Sequence, residues 1–231
     1  ALFEMGRVFV KNGGKIAEED RIVIGLMGPV GRGGLDKRKP VEADEIFLWA
    51  KGIVEAMAAA LRAPAPVLAA AEVPWAEPGR AAGISLAQHA DAGAIGILKP
   101  SIRAEWRMPR PVAVAEIKLK PLLAGVFRTA ETRPLAAYPA VTRDVALIVD
   151  SAVRNEDVIT IIRKNAPPEL TRVELFDIYS GQGMGVGKKS MAYSLTYRSL
   201  ERTLTDEEAN GLHEAVKRKI VNELKAEVRE S

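Results

Sequence analysis

Between Gly181 and Arg198 a loop with glycine at every second position (Gly181, Gly183, Gly185, Gly187) leads into an alternating run. The run reads Lys188-Lys189-Ser190-Met191-Ala192-Tyr193-Ser194-Leu195-Thr196-Tyr197-Arg198. Successive strand side chains point to opposite faces. Met191, Tyr193, Leu195 and Tyr197 therefore share one face, and Ser190, Ala192, Ser194, Thr196 and Arg198 share the other. A chain built on this segment must bury one side of a sheet and leave the other wet. The glycines predict a hairpin connection, because glycine alone enters positive-φ conformations at little cost.

The surrounding segments follow a regular order. Arg143 to Asp150 reads as a strand. Asn155 is the expected cap of a helix with Val158, Ile161, Ile162 and Asn165 on one face, stopped by Pro167-Pro168. Leu170 to Tyr179 and Ser190 to Arg198 give the second and third strands. Thr205-Asp206-Glu207-Glu208 is a capping box, and its helix carries a stripe of Ala209, Leu212, Val216, Ile220 and Leu224. Ala226 to Glu230 fits a short edge strand. The order β-α-β-β-α-β is that of a ferredoxin-like split βαβ unit, with both helices expected on one sheet face.

The first half is also expected to be α+β. Leu2 to Val10 and Arg21 to Met27 read as strands separated by the turn signature Asn12-Gly13-Gly14. Asp44 is the expected cap of a helix running to about Leu61, with Ile46, Ala50, Ile53, Val54, Met57 and Leu61 at helical spacing and Pro64 and Pro66 ending it. Val67 to Pro109 suggests short strands, notably Ala82 to Leu86 and Ala94 to Leu98. Pro111 to Leu119 alternates as a further strand. A length of 231 residues favours two domains. They are placed at 1–122 and 138–231, joined by an extended linker at 123–137. The start at Ala1-Leu2-Phe3, without Met and directly in strand pattern, suggests a fragment. No apolar run reaches membrane-span length, no secretory signal pattern is present, and the absence of cysteine excludes disulfides and thiolate metal sites. These features fit a cytoplasmic protein.

Chemistry-bearing patterns are few. The glycine-rich stretch from Gly28 to Gly34 lacks the Gly-Lys-Ser/Thr ending of a phosphate cradle and reads as a loop. Gly181 to Gly187 lies between two strands rather than before a helix, so the dinucleotide-binding mechanism does not apply. Glu207 and Glu208 belong to a helix start. His89 and His213, the only histidines, have no acidic or histidine partner at ligand spacing. No nucleophile with a base emerges, and a non-catalytic binder is the expectation. Lys188, Lys189, Arg198 and Arg202, interleaved with Tyr193 and Tyr197, suit a single-stranded RNA platform. Alternation alone places Tyr193 with core residues, and both readings stay open at this point. From Leu135 onward fourteen Lys and Arg meet fifteen Asp and Glu, so RNA contact there requires local placement of cations rather than bulk attraction.

Four blocks in order carry a family resemblance. They are Tyr138-Pro139-Ala140-Val141-Thr142-Arg143-Asp144-Val145-Ala146-Leu147, Val173 to Tyr179, Gly187 to Tyr193, and Arg202-Thr203-Leu204-Thr205-Asp206-Glu207-Glu208. They strongly resemble the ferredoxin-fold anticodon-binding domain that closes the β subunit of bacterial phenylalanyl-tRNA synthetase. Leu2 to Phe9 resembles a block of the same subunit's catalytic-like domain. The resemblance implies a C-terminal fragment with no catalytic residues and no cofactor of its own. It implies an α subunit partner in an α2β2 heterotetramer whose α chain uses ATP, magnesium and phenylalanine. The second domain is then expected to meet the anticodon stem-loop of tRNA-Phe. By the same resemblance Tyr138, Arg143, Asp144, Lys188, Lys189, Ser190, Tyr193 and Arg198 are the candidate RNA-binding residues. The alternative from another class is a protein-interaction module without an RNA role.

Overall fold

The computed structural model describes residues 1–30, 39–124, 137–181 and 184–229, which form two compact units split near residue 131. In the first, β1 (Leu2–Asn12) and β2 (Lys15–Met27) form a hairpin closed by Gly13 and Gly14 at φ +56° and +83°. The order continues α1 (Ala43–Ala60), β3 (Pro66–Ala70), β4 (Ala76–Leu86), β5 (His89–Leu98), α2 (Pro100–Glu105), β6 (Val112–Lys118) and α3 (Leu119–Leu123). All six strands make one antiparallel sheet in the order β1-β2-β6-β5-β4-β3. α1 buries Ile46, Ala50, Val54 and Ala58 against Ile22, Ile24, Leu26, Ile95, Ile97, Ala115 and Ile117.

Several elements exceed the sequence reading. β2 begins at Lys15 rather than Arg21, because the charged segment Glu18-Glu19-Asp20 is held in the ladder by ion pairs: Arg7 to Glu18 at 2.9 Å and to Asp20 at 3.0 Å, and Arg21 to Glu19 at 2.6 Å. β4 begins at Ala76, its Pro78-Gly79 step absorbed in a register irregularity between Ala76 and Ala81. Asp44 is not the cap of α1. Glu42 holds that position without a side-chain bond, and Asp44 sits in the first turn. α2, opened by Pro100 at its first position, falls where short strands and turns were expected. Residues 31–34 of the glycine-rich loop and 125–136 of the expected linker lie outside the described residues.

In the second unit β7 (Val141–Asp150), α4 (Asn155–Lys164), β8 (Leu170–Tyr179), β9 (Lys188–Tyr197), α5 (Asp206–Leu224) and β10 (Glu227–Val228) follow the β-α-β-β-α-β order. The antiparallel sheet runs β10-β7-β9-β8. Val145, Leu147, Val149, Met191, Leu195, Val158, Ile162, Val216 and Ile220 form its core. Both helices therefore cover one face, as alternation in β9 required. Thr205 caps α5: its Oγ1 accepts from the Glu208 amide at 3.2 Å, and Glu208 accepts from the Thr205 amide at 3.0 Å. Asn155 does not cap α4. Arg154 is at the cap, with its amide donating to Asp157 at 3.0 Å, and Asn155 accepts instead from the Tyr193 hydroxyl at 2.9 Å. Of the loop glycines, Gly187 takes a positive φ of +77° at the entry to β9; Gly183 lies outside the described residues.

Candidate nucleic-acid interface

The register of the second sheet decides what its uncovered face offers. Across β9, Thr196 lies between Thr142 and Arg172, Ser194 between Asp144 and Glu174, Ala192 between Ala146 and Asp177, and Ser190 between Ile148 and Tyr179. Small side chains thus run down the middle strand, with Thr142, Asp144, Ala146 and Ile148 on one flank and the larger Arg172, Glu174, Asp177 and Tyr179 on the other. Arg172 pairs with Glu174 at 2.8 Å and Lys188 pairs with Glu227. Asp144 and Asp177 have no cationic partner among the described residues. The face is therefore richer in unsatisfied acceptors than in free cations, a surface suited to donors on base edges more than to a run of phosphates.

Its exposed aromatic is Tyr179. A Cβ built on Gly181 would come within 2.7 Å of the Tyr179 hydroxyl oxygen and 2.9 Å of its Cζ. The tyrosine ring thus lies over a residue that has no side chain to displace it. Alternation counted from Val173 would send Asp177 and Tyr179 to the helix side. A bulge between Leu175 and Asp177 reverses this, leaving Phe176 as the extra residue and re-aiming the strand. Sequence reasoning missed both residues because nothing in Leu-Phe-Asp marks the bulge.

The eight sequence candidates separate. Asp144 and Ser190 lie on the uncovered face, Ser190 nearly buried between its neighbours. Lys188 is on that face but engaged with Glu227. Lys189 has the parity of Met191 and the register of Val149, the helix side. Tyr138 is half-buried just before β7. Arg143 reaches to the helix side, donating to Asn210 at 2.8 Å, Asp206 at 2.6 Å and the Thr142 carbonyl at 3.0 Å. It fastens β7 to the first turns of α5. Tyr193 is fully buried, its hydroxyl on Asn155, so no base can stack on its ring; burial raises its pKa well above the usual range. Arg198 donates its amide to the Glu169 carbonyl at 2.7 Å, while its buried Nε has no acceptor.

Behind this sheet, His213 of α5 contacts the Tyr197 hydroxyl through Nδ1 at 3.2 Å, with the rings edge to face. Burial lowers its pKa, the charges of Lys217 and Arg143 add to that, and Glu214 and a hydrogen bond to the Asp144 backbone oppose it. In the first unit His89 lines a cleft of about 560 Å³ with Glu18, Glu19, Asp20, Asp91 and Lys118. Lys118 is tied there to Asp91 at 2.6 Å. Among the described residues no three His, Asp or Glu side chains gather closely enough to hold a metal ion, and no helix is long and apolar enough to cross a membrane.

The ferredoxin-fold anticodon binding domain family matches residues 136–229, and the phenylalanyl tRNA synthetase beta chain CLM domain family matches residues 1–119. The chain is 34% identical over 229 residues to the phenylalanine–tRNA ligase beta subunit of Symbiobacterium thermophilum, covering 99% of this chain and 25% of that protein. It is 32% identical over 234 residues to that of Streptococcus agalactiae, covering 99% and 28%. To that of Carboxydothermus hydrogenoformans it is 34% identical over 210 residues, covering 90% and 26%. The chain spans about a quarter of the length of these relatives.

Proposed function

Because this chain belongs to the family of phenylalanyl-tRNA synthetase beta chains, we propose that it serves aminoacylation of tRNA-Phe without carrying out the chemistry. Residues 138–231 bind the anticodon stem-loop, residues 1–122 form a catalytic-like scaffold for an α subunit, and 123–137 join them. The observation that carries the RNA reading is the uncovered face of the second sheet. Tyr179 offers a stacking surface beside Ser190, and Asp144 and Asp177 are acceptors for base-edge donors. Stacking on an exposed aromatic is worth about 1–3 kcal/mol per base. Arg198, half-buried at the end of β9 and without a carboxylate partner among the described residues, is the cation that meets a phosphate.

ATP, magnesium and phenylalanine are assigned to the α subunit of a cytoplasmic α2β2 ligase. The acidic residues near the first unit's cleft do not fit a magnesium–nucleotide complex: Glu18, Asp20, Glu19, Glu116 and Asp91 are engaged by Arg7, Arg21 and Lys118. The scaffold role is supported by the β1–β2 hairpin, where Leu2, Phe3, Met5, Phe9 and Ile16 are all exposed, more apolar side chains than one solvated hairpin usually shows.

Titration of the chain with the tRNA-Phe anticodon stem-loop tests the RNA reading. Binding that weakens with salt and exceeds that of an unrelated loop of equal length is expected. Equal binding of both loops, or none at low salt, would leave the interaction-module reading, which co-purification with an α subunit but not tRNA would favour.

A further inference from the structure

We propose that the turn around α2 in the first unit, Lys99 to Arg110, is a second RNA contact that grips the phosphate backbone away from the anticodon. The segment holds Lys99, Arg103, Arg107 and Arg110 against one acid, Glu105. Elsewhere in this unit cations are largely engaged: Arg7, Arg21, Lys51, Arg80 and Lys118 all have carboxylate partners. The three arginines of the turn have none among the described residues. Lys99 is spent on the Pro74 carbonyl at 2.5 Å.

These charges share one short stretch of chain with an aromatic, Trp106. Trp106, at the end of α2, follows Arg103 by three residues, a helical-neighbour spacing, and Arg107 comes next on the turn that closes the helix. The turn is fixed rather than frayed: the Arg107 amide donates to the Ala104 carbonyl at 3.1 Å and the Met108 amide to the Arg103 carbonyl at 2.8 Å. That closure holds Arg107 in the left-handed region at φ +52°, where glycine would be the unstrained choice. Trp106 is 67% exposed, and Arg103 has a buried Nε with no acceptor. Arg110 reaches over Gly28, its Nη1 only 3.4 Å from where a Cβ would stand.

Three guanidinium groups without carboxylate partners among the described residues and an exposed indole within eight consecutive residues match a polyanion that also presents flat rings, which favours RNA over an acidic protein surface. The choice of RNA rests on the proposed tRNA reading; the cluster does not. The test uses the whole chain with two ligands, intact tRNA-Phe and its isolated anticodon stem-loop, and the triple variant Arg103→Gln, Arg107→Gln, Arg110→Gln. For intact tRNA the variant should bind at least about tenfold more weakly, with a log–log salt slope shallower by about 3, one per lost phosphate contact. Its stem-loop affinity should equal that of the parent chain. The corresponding triple lysine variant should keep most of the slope, which separates charge from folding. Intact tRNA should quench a fluorescence component that Trp106→Phe abolishes. An unchanged slope for intact tRNA in the glutamine variant, with stem-loop binding intact, overturns this proposal and spares the anticodon reading. Loss of stem-loop binding in the parent chain, with tRNA binding still sensitive to the three arginines, does the reverse. Quenching of Trp106 by poly-glutamate as strong as by tRNA would assign the cluster to an acidic protein and overturn the proposal.

Discussion

Tyr179 and Tyr193 lie on neighbouring strands, yet they do opposite work. Tyr193 is sealed in the core with its hydroxyl on Asn155, whereas Tyr179 lies on the uncovered face over Gly181. Tyr193→Phe should cost about 1 kcal/mol of stability by stranding the Asn155 acceptor and leave stem-loop affinity unchanged. Tyr179→Ala should leave the denaturation midpoint nearly unchanged and weaken stem-loop binding by about tenfold, the lower end of one stacking contact. Denaturant melts beside fluorescence titrations on both variants check the pair. The burial of Tyr193 was half legible, since alternation in β9 grouped it with Met191 and Leu195. The role of Tyr179 was not legible. Parity along β8 is inverted by a bulge, and a bulge is set by how two strands match in length and twist, which no single segment records. Arg143 illustrates the same limit: a cation at a strand start looks available until its helix supplies Asn210 and Asp206.

At the scale of elements, α5 is held at two places that respond to acid in the same direction. At its start Glu208 is bound by Arg202 through two bonds of 2.7 Å and by the Thr205 amide, and its pKa falls from 4.5 to about 2. The unfolded chain therefore takes up this proton first. The stability Glu208 contributes is whole above about pH 4.5 and is lost as pH falls towards about 2. One turn further on, His213 is kept neutral below its ordinary value of 6.5, mainly by burial. Its contribution is whole above about pH 6.5 and declines as pH drops through that value, because the unfolded histidine protonates and the folded one resists. The second unit should therefore lose stability in two acid steps, seen as falling denaturation midpoints of the helical signal. His213→Gln should remove the upper step and Glu208→Gln the lower, while Thr205→Ala should lower stability by about 1 kcal/mol at every pH. The cap was plain in the sequence because its four residues are contiguous. The histidine clamp was not, because Tyr197 and the Asp144 backbone come from two other elements.

Across the whole molecule, charge balance and apolar exposure set behaviour in solution. With a net charge of only +3, repulsion does little to keep chains apart, and the hairpin β1–β2 presents Phe3 and Phe9 to solvent at 71% and 69%. Sedimentation velocity at rising concentration should show reversible self-association that Phe3→Lys with Phe9→Lys suppresses, and an α subunit should suppress it in the parent chain. That the first unit mixes strands with a helix was legible from its strand patterns and from the spacing of Ile46, Ala50 and Val54, whereas the joining of all six strands into one antiparallel sheet was not. The exposure of β1 was not legible either, because Phe3 and Met5 read like any core strand and share a face with Ile24 and Ile22, yet the helix covers only the β2 residues of that face.

The two outermost long strands also differ in a way that bears on how the chain fails. β8 is interrupted by two irregularities, after Leu170 and after Leu175. Its free edge is a poor template for an added strand. β1 pairs with β2 without interruption from Leu2–Gly25 to Asn12–Lys15, which leaves eleven regular residues to nucleate intermolecular ladders. Misfolded material recovered from crowded refolding should therefore be protected from hydrogen exchange along β1 and remain open along β8, so that a single charged or proline substitution in β1 would do more for recovery of native protein than any change in the second unit.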